Sequence, residues 1–290
     1  MLEPAACAAH CRDMAAPAGS DLYYATLQLK TPRQEAVLAL HALAGEIRRI
    51  PRTIADPGVA RLKLAWWTDE LDKLFRSGEA QHPASVVLHT AQAAPRLQPG
   101  VLHEWLQVAD EEISRKTHAD MQALMAACRR HEGGLWRLTA MLCGHTGEET
   151  LDAVETLGTA LGLHRVLRDL RAEAGIGLLR LPLSELRRFG LADDLLRAAH
   201  EPLAELMALL AGHVRETVLN GIVALPPPDR LAQVPALIMT ELCVHTLHEE
   251  QMDGFHLRER RIGLTPLRKW WIAFKVRRRE RRRARHLDNR

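Results

Sequence analysis

The sequence has few aromatic residues, few cysteines and no long apolar run. Aromatic side chains make up 4% of its 290 residues, and it contains five cysteines. No uninterrupted apolar stretch approaches the roughly 18 residues that a membrane-spanning helix needs. Residues 1–18 lack a basic start followed by an apolar block, so we expect no secretory signal. We therefore expect a cytoplasmic protein whose thiols are reduced.

The remaining composition is that of a folded protein with an uneven charge distribution. Hydrophobic residues make up 47% of the chain and charged residues 26%, which excludes wholesale disorder. Residues 275–290 hold nine Lys and Arg against two acidic residues, a net charge of +7, which leaves −4 for residues 1–274 out of the total of +3. A mildly acidic body argues against a dedicated nucleic-acid-binding domain, whereas the basic tail could bind a polyanion.

Apolar residues recur with the period of an α-helix along nearly the whole chain. Residues 37–47 are one example, and no alternating run of β-branched residues indicates a sheet. Proline and glycine divide the chain into about eight or more helical segments. We predict an all-α, single-domain helical bundle. Residues 1–19 are expected to form a flexible leader, 20–264 the helical domain, and 265–290 a basic amphipathic helix and tail.

Two short clusters contain residue types that bind metals. The first consists of Cys7, His10 and Cys11. No second pair of ligands follows it, so we interpret it as incidental thiols in a frayed leader. The second consists of Glu241, His245, His248 and Glu249. No other helix has the matching Glu-x-x-His pattern of a two-metal bundle, so a polar helix face near the surface is the favoured interpretation.

Asp169 and Glu173 lie four residues apart, so both carboxylates would project from one face of a helix. Paired carboxylates that face a cavity can hold Mg²⁺, which prefers oxygen ligands. Arg165 precedes Asp169 by four residues, and a solvated helix face with weak ion pairs explains the same spacing. Spacing alone favours the solvated face.

Three arginines lie near the end of a helix that is predicted to begin at Pro32. They are Arg48, Arg49 and Arg52. Arg48 and Arg52 would share a face if the helix continued past Pro51, which removes a backbone donor. Guanidinium groups suit phosphate or carboxylate. Solvated charges at the carboxyl end of a helix dipole are the alternative.

The C-terminal segment combines an apolar stripe with basic residues. The stripe consists of Leu267, Trp270, Trp271 and Phe274, and an arginine run follows it. A basic amphipathic helix with tryptophans could lie on an anionic membrane surface. It could also dock the stripe on the bundle while the arginines stay in water. We favour docking of the stripe with a membrane-facing tail.

Taken together, these segments resemble the squalene/phytoene synthase family over roughly residues 20–275. The matching segments are residues 20–29 with their paired tyrosines, 41–50 at the first aspartate-rich motif, 56–71, 128–136, 167–173 at the second aspartate-rich motif, 178–191 and 260–274. The resemblance implies the prenyl synthase fold with a central apolar cavity. It also implies head-to-head joining of two allylic diphosphates of the farnesyl or geranylgeranyl type. In the family, two acidic motifs hold Mg²⁺, which promotes departure of diphosphate.

The resemblance also implies roles for individual residues. Asp169 and Glu173 would be the catalytic acids that bind Mg²⁺, and Glu112 stands at an acidic position of the family. The substrate-binding residues would be Tyr23, Tyr24, Arg48, Arg49, Arg52, Arg168 and Arg180. The first motif departs from the family because arginines replace its aspartates. Mg²⁺ could therefore be held only through the second motif.

Two functions of different classes fit this pattern. In the first, the protein still handles prenyl diphosphates with weakened or lost Mg²⁺-dependent transfer, and its arginines contact diphosphate directly. In the second, it is a non-catalytic binding or assembly factor, as in the family's branch of respiratory complex I assembly. The arginines would then form ion pairs with Asp169 and Glu173 across the old cavity. We expect a prenyl diphosphate or another isoprenoid lipid as ligand, with peripheral contact of residues 265–290 on an anionic membrane.

Overall fold

The structure is a computed structural model that describes residues 3–78, 80–145, 147–191, 199–257 and 259–288. Within these ranges all regular secondary structure is helical, so the all-α prediction is confirmed. The α-helices are α1 Pro4–Ala15, α2 Asp21–Thr26, α3 Thr31–Thr53, α4 Pro57–Arg76, α5 Pro83–Thr90, α6 Pro99–Ile113, α7 Met121–Cys128, α8 Gly134–Leu142, α9 Glu148–Gly175, α10 Leu183–Arg188, α11 His200–Ala224, α12 Val234–Met252 and α13 Pro266–Asp288.

Helix α9 is the central element of the bundle. It packs against α8, α11 and α12, and its buried residues lie on every side of the helix rather than along one stripe. This pattern is typical of a helix that is surrounded by protein. One hydrophobic core gathers around α9, α11 and α12, and a second around α1 and α3 to α6. Helix α3 contacts α6 and α8, so charged residues on α3 lie close to both cores.

Helix α3 continues through Pro51 and ends at Thr53. The helix therefore keeps Arg48 and Arg52 on one face, one turn apart, as the spacing requires. The chain turns after Thr53, where the Asp56 carboxylate accepts a hydrogen bond of 2.8 Å from the Val59 N–H and caps α4.

Glycines allow α9 to approach a π-helical turn, Arg129–Gly133, that connects α7 to α8. A Cβ atom on Gly158 would lie 2.7 Å from the Glu132 carbonyl oxygen and 2.8 Å from the Trp136 Cβ. A Cβ atom on Gly162 would lie 2.9 Å from the Glu132 Cβ. Because no methyl group fits in these gaps, the two glycines fix the distance between α9 and the π-helical turn. This close contact places Glu132 beside α9.

Residues 4–15 form α1, which differs from the flexible leader that we expected for residues 1–19. Cys7 and Cys11 are 3% and 1% exposed, and α1 packs against α3 and α5. Burial, and after it the neighbouring Cys7, raises the pKa of the Cys11 thiol to about 12. The small side chains of this segment allow close packing on α3, whose facing residues include several alanines.

Helix α13 docks on the bundle with the face opposite to the predicted one. Its buried residues are Ile272, Ala273 and Val276. The predicted stripe faces outward instead, with exposed fractions of 74% for Leu267, 47% for Trp270, 46% for Trp271 and 40% for Phe274. Ion pairs fix this rotation, since the Lys269 Nζ lies 2.9 Å from an Asp21 carboxylate oxygen and the Arg268 Nη1 lies 2.7 Å from the Glu249 Oε1. The expectation that the stripe docks is therefore wrong.

Helix α11 is apolar enough in length and composition to cross a membrane, although it contains no uninterrupted apolar run. Its most apolar window has a mean hydropathy of 1.2. The helix packs along α9 and buries Leu206, Met207 and Leu210 in the core. We interpret it as a core helix of the bundle.

We expect Gly158→Ala to destabilise the protein by about 1–3 kcal/mol, because the added methyl group overpacks the contact between α9 and the π-helical turn. The matched control is Gly212→Ala in α11, where an added Cβ meets nothing within 4 Å. That control should be neutral or stabilise by up to about 1 kcal/mol, since alanine is the better helix former. Urea denaturation measures both changes. Equal effects of the two substitutions would contradict this account of the close contact.

Candidate functional site

A cavity of about 550 Å³ lies between α3, α6, α7, the π-helical turn and α9. Its apolar wall comes from Val108, Ala123, Leu124, Ala126, Ala127 and Cys128. Six cationic side chains line it against three carboxylates: Arg48, Arg52, Lys116, Arg130, Arg165 and Arg180 against Glu111, Glu112 and Glu132. The resemblance implies an apolar cavity, whereas this lining is mixed and carries an excess of positive charge.

Arg52 joins carboxylates from two other helices at the edge of this cavity. Its guanidinium donates to both oxygens of Glu112 on α6 at 2.6 and 3.2 Å. It also donates twice to the Glu173 Oε1 on α9, at 3.0 Å from Nε and 2.8 Å from Nη2. The Arg52 side chain is 17% exposed and that of Glu173 is 5% exposed. One guanidinium therefore ties α3, α6 and α9 together with four charge-assisted hydrogen bonds.

Arg180 completes the pairing of Glu173. Its Nε donates to Oε2 at 2.7 Å and its Nη2 donates to Oε1 at 2.6 Å. Burial lowers the pKa of Arg180, but the charges of Glu173 and Glu112 outweigh this effect, so the pKa lies above its ordinary value. Both Glu173 oxygens are thus occupied by guanidinium donors.

Glu132, on the π-helical turn, forms a second ion-pair group in the lining of the cavity. The Arg165 Nη2 donates to its Oε1 at 2.8 Å, and the Arg48 Nη1 lies 3.7 Å from its Oε2. The His131 Nδ1 lies 3.8 Å from the same oxygen. Of the two arginines, Arg48 is the more loosely held, so its guanidinium retains donors for a ligand in the cavity.

The buried acids of the cavity are held in their charged form. Burial raises the pKa of Glu112, but the Arg52 and Arg180 charges and the Arg52 hydrogen bond more than offset this, and the pKa lies below its ordinary value. The pKa of Glu132 is lowered in the same way, with His131 and Arg48 outweighing burial. Burial raises the pKa of the Cys128 thiol to about 12, so this thiol is neutral at physiological pH.

The second acidic motif does not fit a Mg²⁺ site. Both oxygens of Glu173 accept from arginines, and the Asp169 Oδ1 lies 3.4 Å from the Arg261 Nη2. Mg²⁺ needs free oxygen donors in octahedral geometry, and guanidinium groups occupy both oxygens of Glu173 and one of Asp169. In the described residues, no group of three or more His, Cys, Asp or Glu side chains is placed to hold a metal ion.

The hypothesis that the arginines form ion pairs with the second motif holds for Glu173 and fails for Asp169. Arg52 pairs with Glu173, as expected. Asp169 pairs with Arg261 instead of Arg48 or Arg52 and lines a cavity of about 230 Å³, although Arg48 lines that cavity too. The two acids make different contacts because they lie one turn apart along α9.

The remaining residues of the predicted site lie outside the 550 Å³ cavity. Tyr23 and Tyr24 pack edge to face against each other, with ring centroids 5.2 Å apart, at the edge of the core. The Arg49 side chain is 59% exposed and lies 3.7 Å from Glu46 on its own helix. The Arg168 Nη2 donates to the Ile262 carbonyl oxygen at 2.9 Å. The structure therefore brings Arg52, Arg180 and Glu173 into direct contact. Arg48 lines both the 550 Å³ cavity and the 230 Å³ cavity that holds Arg168 and Asp169.

Sequence reasoning missed Glu132, the buried carboxylate that pairs with Arg165 and lies near Arg48. The sequence does contain an indication of Glu132: it is an acidic residue directly before two glycines, in a segment that the family resemblance covers. A further buried pair, His164 and Glu250, has its atoms Nε2 and Oε2 2.8 Å apart beside the smaller cavity. No spacing relation connects His164 on α9 to Glu250 on α12, so the sequence gives no indication of this pair.

Of the two clusters that contain metal-binding residue types, the second forms the polar helix face that we favoured, whereas the first lies in a packed helix rather than a frayed leader. On α12, Glu241 lies 3.5 Å from Arg279 and Glu249 lies 2.7 Å from Arg268. Both contacts belong to a polar helix face that receives α13. The cysteines of the first cluster are free thiols buried on α1.

Comparison with known proteins agrees with the fold. The family model for squalene/phytoene synthase matches residues 15–270. The chain belongs to the squalene/phytoene synthase family. The chain is 27% identical over 265 residues to a phytoene synthase of Mycobacterium tuberculosis, covering 88% of this chain and 85% of that protein. It is also 27% identical over 238 residues to a presqualene diphosphate synthase of Rhodopseudomonas palustris, covering 76% of this chain and 80% of that protein.

Solved structures of family members have the same fold. A dehydrosqualene synthase in complex with a ligand superposes with a TM-score of 0.79 at 16% identity, covering 95% of this chain and 97% of that one. A squalene synthase of Alicyclobacillus acidocaldarius has a TM-score of 0.71 at 20% identity, covering 88% of this chain and 97% of that one. The helical shell of this family is therefore retained around the arginine-rich cavity.

We expect Arg52→Met to destabilise the protein by about 3 kcal/mol, because it leaves the buried Glu112 carboxylate without a partner. The matched control is Arg49→Met. It should lower the free energy of unfolding by less than about 0.5 kcal/mol, because Arg49 is solvated. Adding Glu112→Gln to Arg52→Met should recover part of the loss. Chemical denaturation gives all three values. A cost for Arg52→Met no larger than that of the control would show that the ion-pair group carries no stability.

Proposed function

We propose that the protein binds a prenyl diphosphate through arginine side chains and has lost Mg²⁺-dependent head-to-head condensation. The observation that carries this proposal is the Arg52 guanidinium, which lies between Glu112 and Glu173. A guanidinium there supplies the positive charge that holds the two helices together, and it occupies the carboxylates of Glu112 and Glu173 that a metal ion would need. The Arg52 guanidinium is attached to its helix, so it cannot depart with a diphosphate leaving group as a metal ion can. We therefore infer that the site binds the diphosphate without turning it over.

The cavity has the charge that a diphosphate requires. Its cationic side chains exceed its carboxylates, and arginine binds phosphate oxygens with strong charge-assisted hydrogen bonds. Arg48 and Arg165 face the cavity next to the apolar wall of α6 and α7, which suits a ligand with one charged and one apolar end. Relatives named phytoene synthase and presqualene diphosphate synthase support a prenyl diphosphate as the ligand class.

A non-catalytic assembly or binding factor of the same fold is the second candidate. The paired arginines and acids favour it, because a closed set of ion pairs stabilises the fold without any ligand. The exposed aromatic face of α13 also favours it, since such a face is typical of an interaction surface. The ligand titration described below separates the two candidates.

We also propose that α13 contacts an anionic membrane. Leu267, Trp270, Trp271 and Phe274 face outward, and the outward side continues into Arg278, Arg282 and Arg285. The three aromatic rings lie 5.6–6.3 Å apart, so they form one apolar surface. Interfacial tryptophans next to arginines suit the headgroup region of a bilayer.

Calorimetric titration with farnesyl diphosphate tests the first proposal. We expect the dissociation constant to change less than about twofold between Mg²⁺ and a chelator, because Arg52 and Arg180 occupy the carboxylates of Glu112 and Glu173. Arg48→Gln should weaken binding about tenfold by removing a charge-assisted hydrogen bond, whereas Arg61→Gln, on the exposed side of α4, should not.

Pyrophosphate release provides the functional control for this titration. The protein should release no pyrophosphate from farnesyl or geranylgeranyl diphosphate with Mg²⁺. The phytoene synthase of Mycobacterium tuberculosis, assayed beside it, serves as the positive control. Release by this protein, or binding that disappears in chelator, would contradict the loss of metal-dependent catalysis. No binding under either condition would favour the assembly factor.

Tryptophan fluorescence with vesicles tests the membrane proposal. Vesicles of phosphatidylcholine with phosphatidylglycerol should shift the emission to the blue, and pure phosphatidylcholine should have a weaker effect because the arginines then lose their attraction. Leu267→Ser with Phe274→Ser should reduce sedimentation with the anionic vesicles. Sedimentation that is unchanged by both substitutions would contradict insertion of this face.

A further inference from the structure

A second large cavity lies away from the candidate site, between the starts of α3 and α12, the loop after α5, and α13. Its volume is about 540 Å³. Five cationic side chains line it, and its lining contains no carboxylate in the described residues: Lys30, Arg33, Arg96, Arg277 and Arg281. Cations from three separate segments of the chain therefore converge on one cavity.

These five side chains are unpaired, in contrast to the arginines of the candidate site. Throughout the described ranges, none of them has a carboxylate within 4.0 Å or a side-chain hydrogen-bond acceptor. Arg137, by comparison, pairs with three carboxylates at the surface. Burial, and after it the charge of Arg281, lowers the pKa of the Arg277 guanidinium below its ordinary value. The cavity thus holds mutual repulsion that a bound anion would relieve.

The backbone around the cavity increases its positive potential. The first residues of α3 and of α12 both line it, and neither helix has a side-chain cap or an acidic residue in its first turn. The amino end of a helix carries partial positive charge and attracts anions. The charge of the lining and the two helix ends both favour a phosphate group.

The cavity is also apolar and adjoins the outward side of α13. Ala36, Leu142, Val234 and Pro235 supply buried apolar surface. Trp270, Arg277 and Arg281 recur at steps of seven and four, so they lie along one side of α13. A ligand in this cavity would therefore lie beside the exposed aromatic rings.

We propose that this cavity binds the phosphate headgroup of an anionic phospholipid when α13 lies on a membrane. The proposal rests on the membrane contact proposed above. A lipid fits better than free phosphate, because the apolar lining would receive the glycerol and first acyl carbons while the cations hold the phosphate.

Titration with a soluble short-chain lipid, dihexanoyl phosphatidylglycerol below its micelle concentration, tests the site directly. We expect binding by the full-length protein and a loss of at least about tenfold in Arg33→Gln with Arg96→Gln. Neither residue lies on α13, so the aromatic face stays intact. The charge-matched control is Arg187→Gln with Arg188→Gln, which removes two exposed charges from α10, outside the cavity, and should change binding less than about twofold.

Two outcomes overturn this assignment. Short-chain lipid that fails to bind, or that binds equally to the cavity variant and the control, would exclude the cavity as a headgroup site. Inorganic phosphate that binds as tightly as the short-chain lipid and displaces it would make the ligand a free anion.

Sedimentation with anionic vesicles distinguishes failure of the headgroup site from failure of the membrane proposal. If the wild-type protein and the cavity variant sediment with anionic vesicles to the same extent, only the headgroup site is wrong. If the wild-type protein does not sediment with them, the membrane contact and the lipid assignment are both wrong.

Discussion

The Arg52 guanidinium between Glu112 and Glu173 is the contact on which the rest of the site depends. Three helices bring charges into one largely buried volume, and each charge has lost most of its water. Such a group is stable only while every member is paired, since one unpaired buried charge costs several kcal/mol. The arginine therefore constrains the spacing of α3, α6 and α9, and it occupies the hydrogen-bond acceptors of Glu112 and Glu173.

This pairing changes what the family's fold can do. A metal ion that bridges carboxylates can bind, polarise a leaving group and depart with it, whereas a guanidinium is attached to its helix. A guanidinium also offers fixed hydrogen-bond donors to a ligand, which suits recognition of phosphate oxygens. The same helical shell can therefore hold a charged, apolar-tailed molecule without the chemistry that two acidic motifs support.

The sequence predicted the fold and part of the site for physical reasons. Helical periodicity and the segments around the two motifs were sufficient for the bundle, and the four-residue spacing placed Arg48 and Arg52 on one face. The sequence could not assign different partners to Asp169 and Glu173, because their partners Arg261, Arg52 and Arg180 come from segments distant in sequence that pack at different heights along α9. It also could not orient α13, because ion pairs with Asp21 and Glu249, distant in sequence, fix its rotation. The buried Glu132 depends on glycine contacts between two segments, which no local pattern encodes.

A crystal structure with a non-hydrolysable farnesyl thiodiphosphate and Mn²⁺, with anomalous scattering to locate the metal, tests the central claim most directly. The account predicts a diphosphate held by Arg48 and Arg165, Arg52 still bonded to Glu112 and Glu173, and no manganese peak between those carboxylates. A manganese peak at that position, with the Arg52 side chain displaced, would contradict it.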